Sequence, residues 1–413
     1  MCTYYDSFFV FLFLVTKFSM FASKRTGMAL LGTSALLSIG YLLWKFFFAK
    51  KRTPAILDIA VIDIAVLDRR DEDPEAYERE CKKVADALYS TGLLVVKNSG
   101  VTDAENNRFL DNMERYFEHS DGSTDARPEH SFQVGVTPGR KEKALNHCDR
   151  MNKLTDGNEA ISPCPPEFDP KWRFFWRVGD RPSDTKYDSL NMEQVVPEGF
   201  DDWEEIMNGW GSKMLSAVEK VAALAAHGFG LEDDALTSRM QLAPHLLAPT
   251  GSDFNTYTEL DTPLAGYHYD LNLFTIHSKS RFPGLYAWAR DGTKQKVVVP
   301  DGCLLVQAGK QMEYLTGGYV LAGFHEVVIT PDTQNAIERT KAKYPGRREK
   351  LWRVSSTLFS HVASDTTLGP IGKFATKEAV RNYPPRPCGD WVQEELNSIA
   401  LGVDSTEEYK GNN

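Results

Sequence analysis

His268 and Asp270 stand two residues apart in Gly266-Tyr-His-Tyr-Asp270, and His325 follows far downstream in Gly323-Phe-His-Glu-Val327. In extended backbone, residues i and i+2 project to the same side, so this pair can offer an imidazole and a carboxylate to one ion from one short strand. The stretch between Asp270 and His325 is long enough for several antiparallel strands to return the chain to the same mouth of a barrel. Two imidazoles and one carboxylate on one face of an octahedral ion leave positions open, which suits a non-heme Fe(II) centre that handles dioxygen. Alone the pattern is weak, because a chain with nine histidines forms it by chance. Arg353 and Ser355 supply context by repeating the i, i+2 spacing inside the strand-like run from Leu351 to Phe359. A guanidinium fork and a hydroxyl facing one way suit the far carboxylate of a small dicarboxylic acid. An arginine on an exposed edge strand would have the same sequence appearance.

From Pro244 to Asp365 the chain resembles the catalytic core of the isopenicillin N synthase-like family of Fe(II)/2-oxoglutarate dioxygenases. The matching residues are His268-Tyr-Asp270, Thr275, Pro283-Gly-Leu285, Val299-Pro-Asp-Gly302, Gly309, His325-Glu-Val-Val328 and Arg353-Val-Ser355. The resemblance implies His268, Asp270 and His325 as iron ligands, and Arg353 and Ser355 as partners of the distal carboxylate of 2-oxoglutarate. It also implies Tyr257 as an upstream co-substrate tyrosine, although its spacing to His268 is shorter than usual. Fe(II), 2-oxoglutarate, dioxygen and ascorbate are the cofactors that go with it. A small organic substrate would be hydroxylated, desaturated, ring-closed or demethylated, with release of succinate and carbon dioxide. Two other readings stand beside this one: an oxidase like isopenicillin N synthase itself, which works without 2-oxoglutarate, and a catalytically silent jelly-roll binding protein. Loss of a ligand would mark the silent case, and all three are present.

Two departures from the family pattern carry information. A longer segment than usual separates His325 from Arg353, and its Thr330-Pro331 start and Tyr344-Pro-Gly346 end predict an inserted helix and turn. The basic residues of this insertion, including Arg339, Lys341 and Lys343, either form a solvated helix face or cover the mouth of the site and attract an anion. Lys310 occupies a position after Gly309 where relatives often carry Asp, which bears on substrate class and not on iron.

The elements that must position these residues read as α+β with a mainly β core. The expected architecture is a double-stranded β-helix, or jelly roll, over residues 241–390, preceded by a helix-and-strand domain over 54–240 and a single N-terminal membrane-anchor helix. Ile56 to Leu67 reads as opening strand material. Asp73-Pro74 starts a helix that buries Cys81, Val84, Ala85 and Leu88, and Thr102 with Glu105 forms a capping box for the next. Trp203, Ile206, Met207, Trp210, Met214, Val218, Val221 and Ala225 make one stripe of a long helix. Residues 120–200 are rich in Pro, Gly and Asp and read either as a substrate lid or, as favoured by Trp172-Arg-Phe-Phe-Trp-Arg177, as a loop layer packing its aromatics onto the barrel. His147 is read as structural, His245 and His277 as lacking a metal role, and His361 as structural or at the pocket rim.

Composition sets limits. Hydrophobic content of 42% suffices for a large core, and a net charge of -10 with a pI near 5.5 excludes general nucleic-acid binding, which leaves a basic footprint. Six cysteines without CxxC pairing predict no disulfide framework and a reducing compartment for the globular part. Gly27 to Trp44 carries no charge and is followed by Lys45, and about 20 such residues span a bilayer core. Residues 27–48 are therefore expected to be a single-pass anchor. The basic residues after them favour a cytosolic catalytic domain by the positive-inside tendency.

Overall fold

The computed structural model describes residues 55–343, 351–399 and 401. Among them no helix is long and apolar enough to cross a membrane. The expected anchor over residues 27–48 lies outside the described residues.

Strand β1 (Val61–Asp63) is shorter than the sequence suggests. The Asp63 carboxylate accepts from the Ala65 amide at 3.1 Å, and this local bond turns Ile64–Arg69 into a 3-10 helix where a second strand run was expected. Helix α1 (Pro74–Ser90) starts on Asp73, whose side chain accepts from the Ala76 amide, with proline in the first turn where its missing N–H costs nothing. Strand β2 (Leu93–Lys97) leads to α2 (Asp103–His119). Its capping box is complete, because Thr102 accepts from the Glu105 amide at 3.2 Å while Glu105 accepts from the Thr102 amide at 3.0 Å.

Strands β3 (Gly135–Thr137) and β4 (Trp172–Val178) follow, then the long helix α3 (Trp203–Gly228). The aromatic-basic cluster is thus a strand and not a loop layer. Its alternate residues Phe174 and Trp176 are fully buried, with Phe174 edge-on to Trp203 of α3 at 4.8 Å. Lys171, Arg173 and Phe175 take the other side. The sequence hides this strand because both of its faces are buried, so the alternation of apolar and polar residues is lost.

The barrel strands are β5 (His245–Leu247), β6 (Thr250–Asp253), β7 (Pro263–His268), β8 (Phe274–Ser278), β9 (Leu285–Trp288), β10 (Lys294–Lys296), β11 (Leu304–Ala308), β12 (His325–Val328), β13 (Trp352–Ser355) and β14 (Thr357–Ser360). The inserted helix α4 (Pro331–Lys343) and the C-terminal helix α5 (Cys388–Ser398) complete the elements that matter for the site. The larger sheet runs β1-β2-β11-β8-β14-β5-β4-β6-β13, with β3 added to β4, and the smaller runs β10-β9-β12-β7. All pairings are antiparallel except β1 with β2. Strands β2 and β4, from the N-terminal half, thus complete the sheet on which the later strands fold, and α3 covers its outer face.

Cys148 and Cys164 form a disulfide with Cα atoms 5.7 Å apart, correcting the expectation that the cysteines stay unpaired. Their spacing gives no local signature, and the meeting depends on how the 120–200 loops fold back. Cys81, Cys303 and Cys388 are free.

Buried histidines make stability depend on pH, His245 and His361 the most strongly shifted among them. His245 faces the Met240 carbonyl with Nε2 at 2.9 Å and accepts the His361 amide at Nδ1, which fixes it as a neutral ring. Burial lowers both His245 and His361 to about 3. Unfolded histidines titrate near 6.5, so between these values the unfolded chain holds protons that the native chain refuses. Stability is therefore complete above about pH 6.5 and declines as pH falls towards 3. His227 opposes this: burial lowers it, but Asp233 and Glu78 raise it overall, and its partners are exposed. A melting midpoint that falls from pH 7 to pH 4, with a shallower slope in His361→Asn, is the expected result. A flat profile in the wild type would contradict it.

Candidate metal centre and its cavity

His268 closes β7 and His325 opens β12, and the two are paired directly opposite each other in the antiparallel ladder. Their ring centroids are 4.2 Å apart. Asp270 follows β7 by two residues, with Oδ1 3.5 Å from His268 Nε2 and Oδ2 3.9 Å from His325 Nε2. One ligand atom from each residue lies within 4.8 Å of the others.

The backbone decides which ring nitrogens face inward. His268 Nδ1 lies 2.6 Å from the Gly266 carbonyl and His325 Nδ1 lies 3.1 Å from the Gly323 carbonyl. A carbonyl only accepts, so each Nδ1 carries the hydrogen and each Nε2 of the neutral ring presents a lone pair. Two lone pairs and a carboxylate thus converge with no donor among them, an arrangement that fits a divalent cation. Protonating a ring is the other way to satisfy it, and burial opposes that by lowering His325 to about 4. Burial alone would raise the Asp270 carboxyl, but His325, His268 and the Thr275 hydroxyl together hold it well below the usual carboxylate range. That hydroxyl donates to Asp270 Oδ2 at 2.5 Å. The Asp270 carbonyl also accepts from the Lys310 amide at 2.8 Å. The approach of Gly309 explains its identity, since a Cβ there would lie 2.0 Å from the Asn272 carbonyl oxygen.

A cavity of about 400 Å³ opens between the two sheets, with His268, Asp270 and His325 on one wall. Arg353 and Ser355 lie on β13 and line the same cavity, opposite Ser252 and Thr250 of β6 in register. Arg353 is buried, and its Nε has no hydrogen-bond partner. Burial lowers its pKa to about 10, so it still carries its charge at neutral pH. A buried, charged and unpaired guanidinium is costly, and an anionic ligand is what it lacks.

Tyr257 is not brought to this cavity. It sits in the turn between β6 and β7, where its hydroxyl accepts from Arg140 Nε at 3.3 Å, and it lines a different cavity with Tyr267 and His147. The short link to His268 sets it instead against the apolar cluster of Phe254, Leu264 and Phe282. The expectation that it reaches the co-substrate is therefore corrected. Lys310 likewise turns away, to Glu313 and the ring of Tyr269.

Several residues of the site were missed in the sequence. His277 lines the cavity from β8 beside Thr275, with Nε2 3.3 Å from the Gln307 amide, and burial lowers it to about 4. Its i, i+2 relation to Thr275 was the available signal. Lys171 and Arg173 line the cavity from the β4 side. Lys171 meets Asp169 at 2.6 Å and Glu142 at 2.9 Å, and Arg173 meets Glu142 at 2.9 Å. Asp169 also accepts from the Gly266 amide, which ties this charge group to the ligand strand. Glu326, fully buried next to His325, takes hydrogens from the Ile161 and Ser162 amides, the Ser162 hydroxyl and Lys294. Ser162 Oγ in turn accepts from the Tyr267 amide on β7 at 2.8 Å. One loop is thereby held to both ligand strands.

Lys171→Met should expose the cost of that buried network. Removing one member of a buried ion cluster typically costs about 3–5 kcal/mol, since the partners stay charged without compensation. Urea unfolding of the variant should show a loss of that order, and an unchanged midpoint would mean that Arg173 alone satisfies Glu142 and Asp169.

No family model and no curated protein matches the chain. Solved structures do. A 2OG-Fe(II) oxygenase family protein from Caulobacter crescentus is 19% identical, with a TM-score of 0.60 over 83% of this chain and 99% of that one. A full-length Neurospora crassa protein solved in complex with alpha-KG is 16% identical, with a TM-score of 0.62 over 84% and 99%. JOX2 in complex with 2OG, Fe and JA is 16% identical, with a TM-score of 0.57 over 86% and 90%. The chain therefore has the fold seen in 2OG-Fe(II) oxygenases.

Proposed function

We propose that this chain, with the fold of the 2OG-Fe(II) oxygenases, is an Fe(II)- and 2-oxoglutarate-dependent oxygenase of a small organic molecule. The observation that carries the reading is the convergence of three acceptor atoms across a cavity from a buried, unpartnered arginine. His268, Asp270 and His325 would hold Fe(II), and Arg353 with Ser355 would take the distal carboxylate of 2-oxoglutarate. The solved structures of like fold support it, since one holds alpha-KG and another 2OG and Fe.

When bound, the ion and the oxo acid together supply reducing power for dioxygen, with succinate and carbon dioxide as co-products. The protein's share is positional. The Gly266 and Gly323 carbonyls aim the imidazoles, and Thr275 orients the Asp270 carboxylate. His277, kept neutral by burial, adds a polar group to the wall without adding charge.

The test is succinate release from 2-oxoglutarate by the iron-loaded protein incubated with a metabolite extract, read beside a search for products heavier by one oxygen. Substrate oxidation with no succinate formed would replace this reading by a 2-oxoglutarate-independent oxidase.

The N-terminal segment adds a proposal on location. The uncharged run Gly27 to Trp44, followed by Lys45, supports a single-pass anchor with the catalytic domain on the cytosolic side. The full chain should then sediment with membranes and resist alkaline carbonate extraction. Recovery in the soluble fraction would contradict it.

A further inference from the structure

We propose that Arg339, on the inserted helix α4, holds the carboxylate of the substrate at the cavity mouth, so that the oxidised molecule is a small monocarboxylic acid. The proposal rests on the oxygenase reading above and names its substrate class.

Charge pairing around the cavity singles out two residues. Lys171 and Arg173 are matched by Glu142 and Asp169, Lys279 by Asp301, Arg281 by Asp111 and Glu114, and Lys296 by Asp332. Arg353, which is buried, and Arg339, which is exposed, line the same cavity, and among the described residues neither has an acidic partner. Arg353 is deep and is accounted for by the co-substrate. A divalent ion, the Asp270 carboxylate, a doubly charged oxo acid and Arg353 together carry no net charge. Arg339 is then the one cation among the described lining residues left without a partner beside it, and its single charge suits one carboxylate. A planar carboxylate suits its fork of donors, whereas a doubly charged phosphate would leave a charge unmatched. The cavity must also contain the co-substrate, so the acid is small.

Helix α4 is built into the wall and does not float above it. The Thr330 and Thr333 hydroxyls and amides bond reciprocally at 2.9 to 3.1 Å, and Thr333 Oγ1 donates to the Pro283 carbonyl at 3.0 Å. The next residue, Gly284, has φ +138°, and a Cβ there would lie 2.4 Å from the Val328 carbonyl oxygen. Ala336 and Ile337 are buried with Phe254, Phe282 and Leu351, and Asp332 pairs with Lys296 of β10. Lys341 differs from Arg339: it pairs with Glu338 and is not part of the lining.

The experiment uses the full-length protein loaded with Mn(II) and N-oxalylglycine, which hold the site without turnover. Benzoate, phenylacetate and hexanoate are titrated calorimetrically against their primary amides. The expected result is that at least one acid binds more tightly than its amide by about tenfold or more, the effect of a charged hydrogen-bonded pair. Arg339→Gln should remove that difference and Arg339→Lys keep part of it. Lys341→Gln should leave it intact, with Mn(II) and N-oxalylglycine affinities unchanged throughout. Equal binding of acids and amides, no measurable binding of any acid, tighter binding of inorganic phosphate, or a difference that survives Arg339→Gln overturns the proposal. Failure of Mn(II) and N-oxalylglycine to bind, seen before any acid is added, sinks the oxygenase reading itself.

Discussion

His268→Ala should abolish both metal retention and 2-oxoglutarate turnover while leaving the fold intact. The variant removes one of three converging acceptor atoms, and the two that remain cannot cap one face of an octahedral ion. Thr275→Val provides the scale. It deletes only the hydroxyl that orients Asp270, and losses at such outer positions run at about 10–100-fold in metal affinity or activity. The ligand substitution should exceed this. Metal content after gel filtration, succinate formation and the melting midpoint of the metal-free protein are the three readouts. Full metal content and turnover in His268→Ala would show that the ligand set is misassigned.

Arg353→Leu should separate co-substrate binding from metal binding. Hydrogen bonds to a charged group are each worth roughly 1.5–3 kcal/mol, so the variant should need about tenfold or more 2-oxoglutarate for half-maximal uncoupled succinate release. Iron affinity should change little, because Arg353 lies on the opposite sheet from the ligands. Stability should move the other way. The guanidinium is buried without a partner for its Nε, so an apolar residue of similar size should raise the melting midpoint of the ligand-free protein. A lowered midpoint in the ligand-free variant would mean that the arginine is satisfied by groups other than a ligand.

The metal-site residues were legible because their signal is local parity combined with rare residue types. His268 with Asp270, and Arg353 with Ser355, announce shared sides before any fold is known, and the fold brings the two pairs to one cavity. Helix starts were legible too, since Asp73, Thr102 and Thr330 carry side chains that satisfy orphan amides. Long-range pairing was not. Nothing in the 120–200 segment reveals that Lys171 and Arg173 will enter the cavity wall, or that Glu326 will clasp a loop far away in sequence. Tyr257 was misplaced for a related reason: resemblance supplied a residue type, and the turn after β6 sets it against a different cavity.

The direct pairing of His268 with His325 across one ladder gives an ion there a second consequence. A bound ion would act as a clasp across two neighbouring strands, so β7 and β12 could not unzip or slip in register without first releasing it. A slip of one residue would turn one imidazole to the far face of the sheet. Metal occupancy would thus proofread strand alignment during folding, and chelation would remove the check on this pair of strands alone while leaving the larger sheet untouched.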